Sequence, residues 1–257
     1  MATLRSFNDF TARVGNGFYN QAHFSVEVDA ATSGTLMSAQ QFQSIQKTPL
    51  IHKLPALPSG VTGYRLTGAT VYSSVTATYQ LVKLVNFGSL NIATPAFTAG
   101  VSMPTVTEAG VSRQISSPIL AEVTTTLNAT PGSIALNYVD QDGNASEAIT
   151  AIAMAGSCIA KSCGFIVLNG TDSAARSISS VTRTGGTTPT GVVNFWGVVP
   201  YAFVTVVATS SMATVNLLTC NPAPPLLAAD DELYLLTLGA TGVRRLTGTL
   251  HFVGEQT

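Results

Sequence analysis

The sequence predicts an all-β protein: a β-sandwich or jelly roll of short antiparallel strands with an extended N-terminal arm. Three observations carry this. From Val61 onward Thr, Val and Ile dominate, and Gly, Pro, Asn and Asp interrupt them at short spacing, the pattern of strands and turns. About a dozen such runs occur with no long helix among them, which leaves a sandwich, jelly roll or barrel. The first 60 residues differ: they hold Phe7, Phe10, Phe18, Tyr19, Phe24 and Phe42 and no sheet of their own. The chain therefore divides into an arm and connection, residues 1–60, and a β-sandwich, residues 61–257, with room for two sub-domains.

Taken in order, residues 24–29 (Phe-Ser-Val-Glu-Val-Asp) alternate apolar and polar, as a half-buried strand does. Residues 36–45 form a short helix on the propensities of Met37, Gln40, Gln41 and Gln43. Pro49, Pro55 and Pro58 break any regular ladder and make an extended connection. Strands follow at 64–72, 77–86, 119–127, 133–140, 145–152, 164–168, 177–184, 192–199, 202–208, 214–218, 232–238 and 244–253. Asp142-Gly143 between two of these runs signals a tight type I′ hairpin, and Gly185–Gly191 reads as a loop. Residues 62–68 (Thr-Gly-Tyr-Arg-Leu-Thr-Gly) are echoed at 241–248 (Thr-Gly-Val-Arg-Arg-Leu-Thr-Gly), with a weaker copy at 175–181. The echo marks either equivalent strands of a duplicated sheet or a chance match in a Thr- and Gly-rich chain.

Composition narrows function. Charged residues make up 10% of the 257, against about 25% in ordinary soluble domains. A surface so poor in charge is either built of neutral Thr, Ser, Asn and Gln or hidden against neighbours. A net charge of −1 provides no basic stripe for direct nucleic-acid binding. The mean hydropathy is +0.33, yet no window approaches the roughly 18 uninterrupted apolar residues of a membrane helix. The first ten residues contain no apolar signal core, so synthesis in a host cytoplasm is expected. The 3 cysteines supply no disulfide framework.

Chemical sites are scarce. The histidines His23, His52 and His251 lie far apart in sequence, and no Gly-x-Ser-x-Gly elbow occurs, so no catalytic residues are assigned. Cys158 and Cys163 lack a second close pair for zinc. Asp140, Asp142 and Asn144 match the first three positions of a calcium loop, but Gly143 and Glu147 fall out of register, so a turn is expected and no metal or cofactor site is assigned. Asp230-Asp231-Glu232 is the densest negative charge and reads as a solvated loop. The Asn-x-Ser/Thr sequences at Asn128, Asn144 and Asn169 read as Asn in turns. Phe195-Trp196 reads as core. The aromatic arm is the positive signal: Phe7, Phe10, Phe18 and Tyr19 stand among polar residues, as anchors of an assembly interface do, or as residues that close the core of their own domain do.

The segments Leu36–Gln41, Tyr138–Asn144, Ala175–Thr182 and Gly242–Val253 together resemble tailed-bacteriophage virion proteins, in particular head-decoration or cement proteins. That resemblance implies a sandwich or jelly roll without enzymatic activity, assembling as a dimer or trimer on a lattice of major capsid protein. It places the chain in the virion. Three other readings stand beside it: a tail, neck or receptor-binding module, the capsid-forming subunit itself, and a hydrolase on a β scaffold.

Overall fold

A computed structural model describes residues 19–28, 40–108, 111–145, 147–218, 225–238 and 244–256. Its strands, in chain order, are β1 (Tyr19–Val28), β2 (Gln40–Lys47), β3 (His52–Lys53), β4 (Val61–Ser73), β5 (Ala77–Asn91), β6 (Ala96–Ala99), β7 (Thr105–Glu108), β8 (Val111–Gln114), β9 (Ile119–Thr125), β10 (Ser133–Asp140), β11 (Glu147–Ala153), β12 (Ser162–Ile166), β13 (Ala175–Thr184), β14 (Val192–Val206), β15 (Ser211–Asn216), β16 (Glu232–Leu238) and β17 (Arg244–Gln256). No helix occurs among the described residues, so none there is long and apolar enough to cross a membrane. The fold is all-β and antiparallel, as the sequence predicts.

The expected helix fails over its described residues. Residues 40–45, read as helix, belong to β2, which pairs antiparallel with β12 from Ser162↔Gln46 to Ile166↔Gln40. Every residue of β12 is buried, and such a strand needs a ladder on both sides. That tertiary demand overrides the small helical preference of Gln and Met.

The described residues fall into two compact units, one within 1–30, 47–83 and 200–257, the other within 31–46 and 84–199. In the first, a four-stranded sheet has the order β1-β17-β4-β15. A second layer runs β3-β16-β5, using the first half of β5. The proline-broken connection lies along β16: the Thr48, Ile51 and Leu54 amides donate to the Leu235, Leu233 and Asp231 carbonyls at 2.9–3.0 Å, with Pro49 between the first two donors and Pro55 and Pro58 after the last. The core contains Leu66, Val71, Leu81, Leu235, Leu250 and Phe252. Ser73 Oγ meets the buried Tyr79 hydroxyl at 2.6 Å, and Arg244, also buried, hydrogen-bonds Tyr79 in turn. At one end of β4 the buried Arg65 pairs with the buried Glu255 of β17.

The second unit holds a three-stranded sheet, β11-β10-β13, a hairpin of β7 and β8, and a sheet in which β2, β12, β9, the first half of β14, the second half of β5, and β6 follow one another. Phe195 is fully buried and meets Phe97 edge-on at 6.3 Å. Trp196, half-buried, donates its indole N–H to Glu122 at 2.8 Å. The two halves of the sequence echo turn out to be neighbours: residues 62–68 open β4, residues 244–248 open β17, and the strands pair antiparallel, so the echoes lie at opposite ends of one ladder.

Candidate functional site

The most distinctive surface is the outer face of the four-stranded sheet. Strand residues alternate between faces, and the registers stack the outward ones in rows. One row runs Ser25–Thr247–Tyr72–Met212, the next His23–Thr249–Thr70–Thr214, the next Gln21–His251–Gly68–Asn216. Within the rows Thr70 Oγ1 meets Thr214 Oγ1 at 3.1 Å, and Thr249 Oγ1 meets His23 Nδ1 at 3.0 Å. The His251 ring edge covers Gly68. Among the described residues of these rows, formal charge enters at one corner, where Arg245 faces Glu27 at 3.4 Å. This is a face of short neutral side chains with two larger apolar ones, Tyr72 and Met212, directly opposite each other.

Sheet order leaves β15 as an edge, pairing with β4 alone among the described residues. It contains no charge and no proline, and its register with β4 runs unbroken from Ser211↔Ser73 to Asn216↔Gly68. Edge strands normally carry Lys, Pro, a bulge or a cover that blocks pairing with another chain.

All 3 histidines of the chain gather around β17. His52 stacks on Phe252 at 5.6 Å, and burial pushes its pKa below the ordinary 6.5. His251 is lowered by burial first and by His23 second.

In the second unit the structure draws together Asp140, Glu147 and Asp172, with one oxygen of each within 4.8 Å of the others. The carboxylates already have work. Asp140 Oδ1 accepts the amides of Asp142, Gly143 and Asn144 at 2.7–2.8 Å, and Oδ2 accepts the Asn144 side chain at 2.7 Å. Burial alone would raise its pKa, but these bonds outweigh it and hold the pKa below 3.8. Asp172 accepts the Tyr138 hydroxyl at 2.5 Å and Gln141 Nε2 at 3.2 Å. Burial, then the bond to Asp172, raises the Tyr138 pKa well above 10.0. Arg176 closes the loop by donating to the Gln141 carbonyl at 2.7 Å. The expected tight type I′ turn is thus replaced by a longer connection, residues 141–146, because Asp140 gathers three successive amides.

The assigned interface residues Phe7, Phe10 and Phe18 lie outside the described residues. Tyr19 opens β1 opposite Val253, and its side chain is likewise outside the description. Cys158 and Cys163 are buried, and burial raises the Cys158 thiol, which keeps it protonated and unreactive. The acidic run is largely neutralised within its own unit: Lys53 reaches Asp230 at 3.1 Å, and Lys83 reaches Asp231 at 2.6 Å. Sequence reading missed the Tyr72–Met212 pair and the β15 edge; the alternation of Met212, Thr214 and Asn216 with Ala213 and Val215 was the available signal.

No family model and no curated protein matches the chain. Among solved structures, an infectious bursal disease virus Gx strain structure is similar over 93% of this chain and 81% of that one, at 12% identity and a TM-score of 0.20. The KI polyomavirus VP1 pentamer is similar over 92% and 94%, at 13% identity and 0.19. The T13 particle of infectious bursal disease virus is similar over 93% and 78%, at 11% and 0.21. Scores this low carry no argument about fold or function.

Proposed function

We propose that this chain is a non-enzymatic structural subunit of a virion, a decoration or cement protein that self-associates and binds a lattice of major capsid protein. The observation that carries the reading is the neutral outer face of the four-stranded sheet, ending in an unprotected edge. Broad surfaces of Thr, Ser, Asn and Gln without charge suit lateral contact between rigid subunits: they cost less desolvation than charges do, can hydrogen-bond across the contact, and oppose no like charges. The low total charge fits the same role. So does the sequence resemblance to head-decoration proteins.

The test has two steps. Sedimentation of the purified chain shows a discrete oligomer that survives high salt, because an interface without ion pairs is barely screened. Particles assembled without the chain then bind it at fixed stoichiometry and gain heat resistance. A chain that stays monomeric and fails to co-sediment with any particle contradicts the reading.

A further inference from the structure

We propose that β15 is the edge across which two copies of this chain join, antiparallel, about a two-fold axis passing beside Thr214. The inference rests on the self-associating reading above and names its contact.

The first argument is the missing protection. Over Ser211–Asn216 the strand has none of the charge, proline or bulge that natural edges use against pairing. One edge of the three-stranded sheet in the other unit is different. There β11 begins with Glu147 and carries a register shift opposite Ile134–Leu136, the bulge that twists an edge away from partners. β15 has neither device, and among the described residues no strand covers it.

The second argument is self-complementarity. Opposite residues of an antiparallel pair share a face, so a two-fold axis at Thr214 sets Thr214 against its own copy, Met212 against Asn216, and Ala213 against Val215. No charge meets a like charge, and the Thr70–Thr214 row continues as Thr70–Thr214–Thr214–Thr70. Such a contact is isologous and closes at two copies.

The third argument is exposure. Met212 is 66% exposed, and a strand paired at this edge lays the copy's Asn216 side chain beside it, so part of that apolar surface leaves water.

The experiment compares native mass across concentration for the intact chain, for Thr214→Lys and for Thr214→Ser. Thr214 is exposed on the outer face, so lysine leaves the fold intact, checked by circular dichroism and thermal melting. Two lysines on the axis raise the midpoint of dimer formation by about tenfold or more, and serine leaves it unchanged. Thr214→Cys combined with Cys220→Ser gives a disulfide-linked dimer under mild oxidation, since the remaining cysteines are buried. An oligomer that ignores Thr214→Lys and gives no crosslink overturns the β15 contact and leaves the self-associating reading standing; the edge is then covered by another protein or by this chain itself. A chain monomeric at every concentration overturns both.

Discussion

At the residue scale, His52 shows how burial sets a pH limit on the first unit. Its ring stacks on Phe252, and burial lowers its pKa below the unfolded value of 6.5. Below pH 6.5 the unfolded chain takes up a proton that the folded chain resists, so stability is full above that pH and declines as pH falls. His251 adds to the decline with the same sign. Urea unfolding at pH 7.5 and pH 5 measures it: the intact chain loses stability at pH 5, and His52→Phe loses less. Gly248 makes a sharper case. A Cβ there would overlap the Thr70 carbonyl oxygen and the Phe24 ring, so Gly248→Ala forces β17 away from β4 and costs about 2 kcal/mol, read from the denaturation midpoint. Arg65 and Glu255 are buried as a pair; Glu255→Gln leaves a buried guanidinium short of its counter-charge and costs about 3 kcal/mol.

At the element scale, legibility followed locality. The bounds of β10 and β16 match the sequence reading because alternation and flanking turn residues lie within the segment itself. Val192–Val206 was split in two at Pro200, yet the strand runs through it. β2 was misread because its Gln-rich sequence has no strand signature, and only the buried β12 beside it dictates an extended form. The Asp140 loop was placed correctly as a connection, but its length depends on amide bonds that no pattern announces. Replacing Asp140 by Ala removes the acceptor of four hydrogen bonds; hydrogen exchange at the amides of residues 142–144 accelerates and the melting temperature falls. Edge status is the least local property of all. That β15 has one neighbour and β17 two follows from pairing residues 138 to 234 positions apart, which single-sequence periodicity does not encode.

At the scale of the whole molecule, composition and surface agree. The 25 formal charges include several spent on pairs within the chain: Arg65 with Glu255 and Lys83 with Asp231 away from solvent, and Lys53 with Asp230 at the surface. What remains outside on the four-stranded sheet is a neutral face with one charged corner. On the proposed reading, such a chain holds its neighbours through backbone pairing and apolar contact, so its assembly is expected to resist salt and to weaken when a charge is placed on the face. The gathering of the three histidines from residues 23, 52 and 251 around one strand belongs to the same scale, because no short segment contains more than one of them.

The most direct measurement is the native mass of the purified chain by sedimentation across concentration, at low salt and at 1 M NaCl. A single discrete oligomer of unchanged mass in both is the predicted result. A monomer at every concentration, or an oligomer that salt dissolves, contradicts the account of a structural subunit joined through uncharged sheet surfaces.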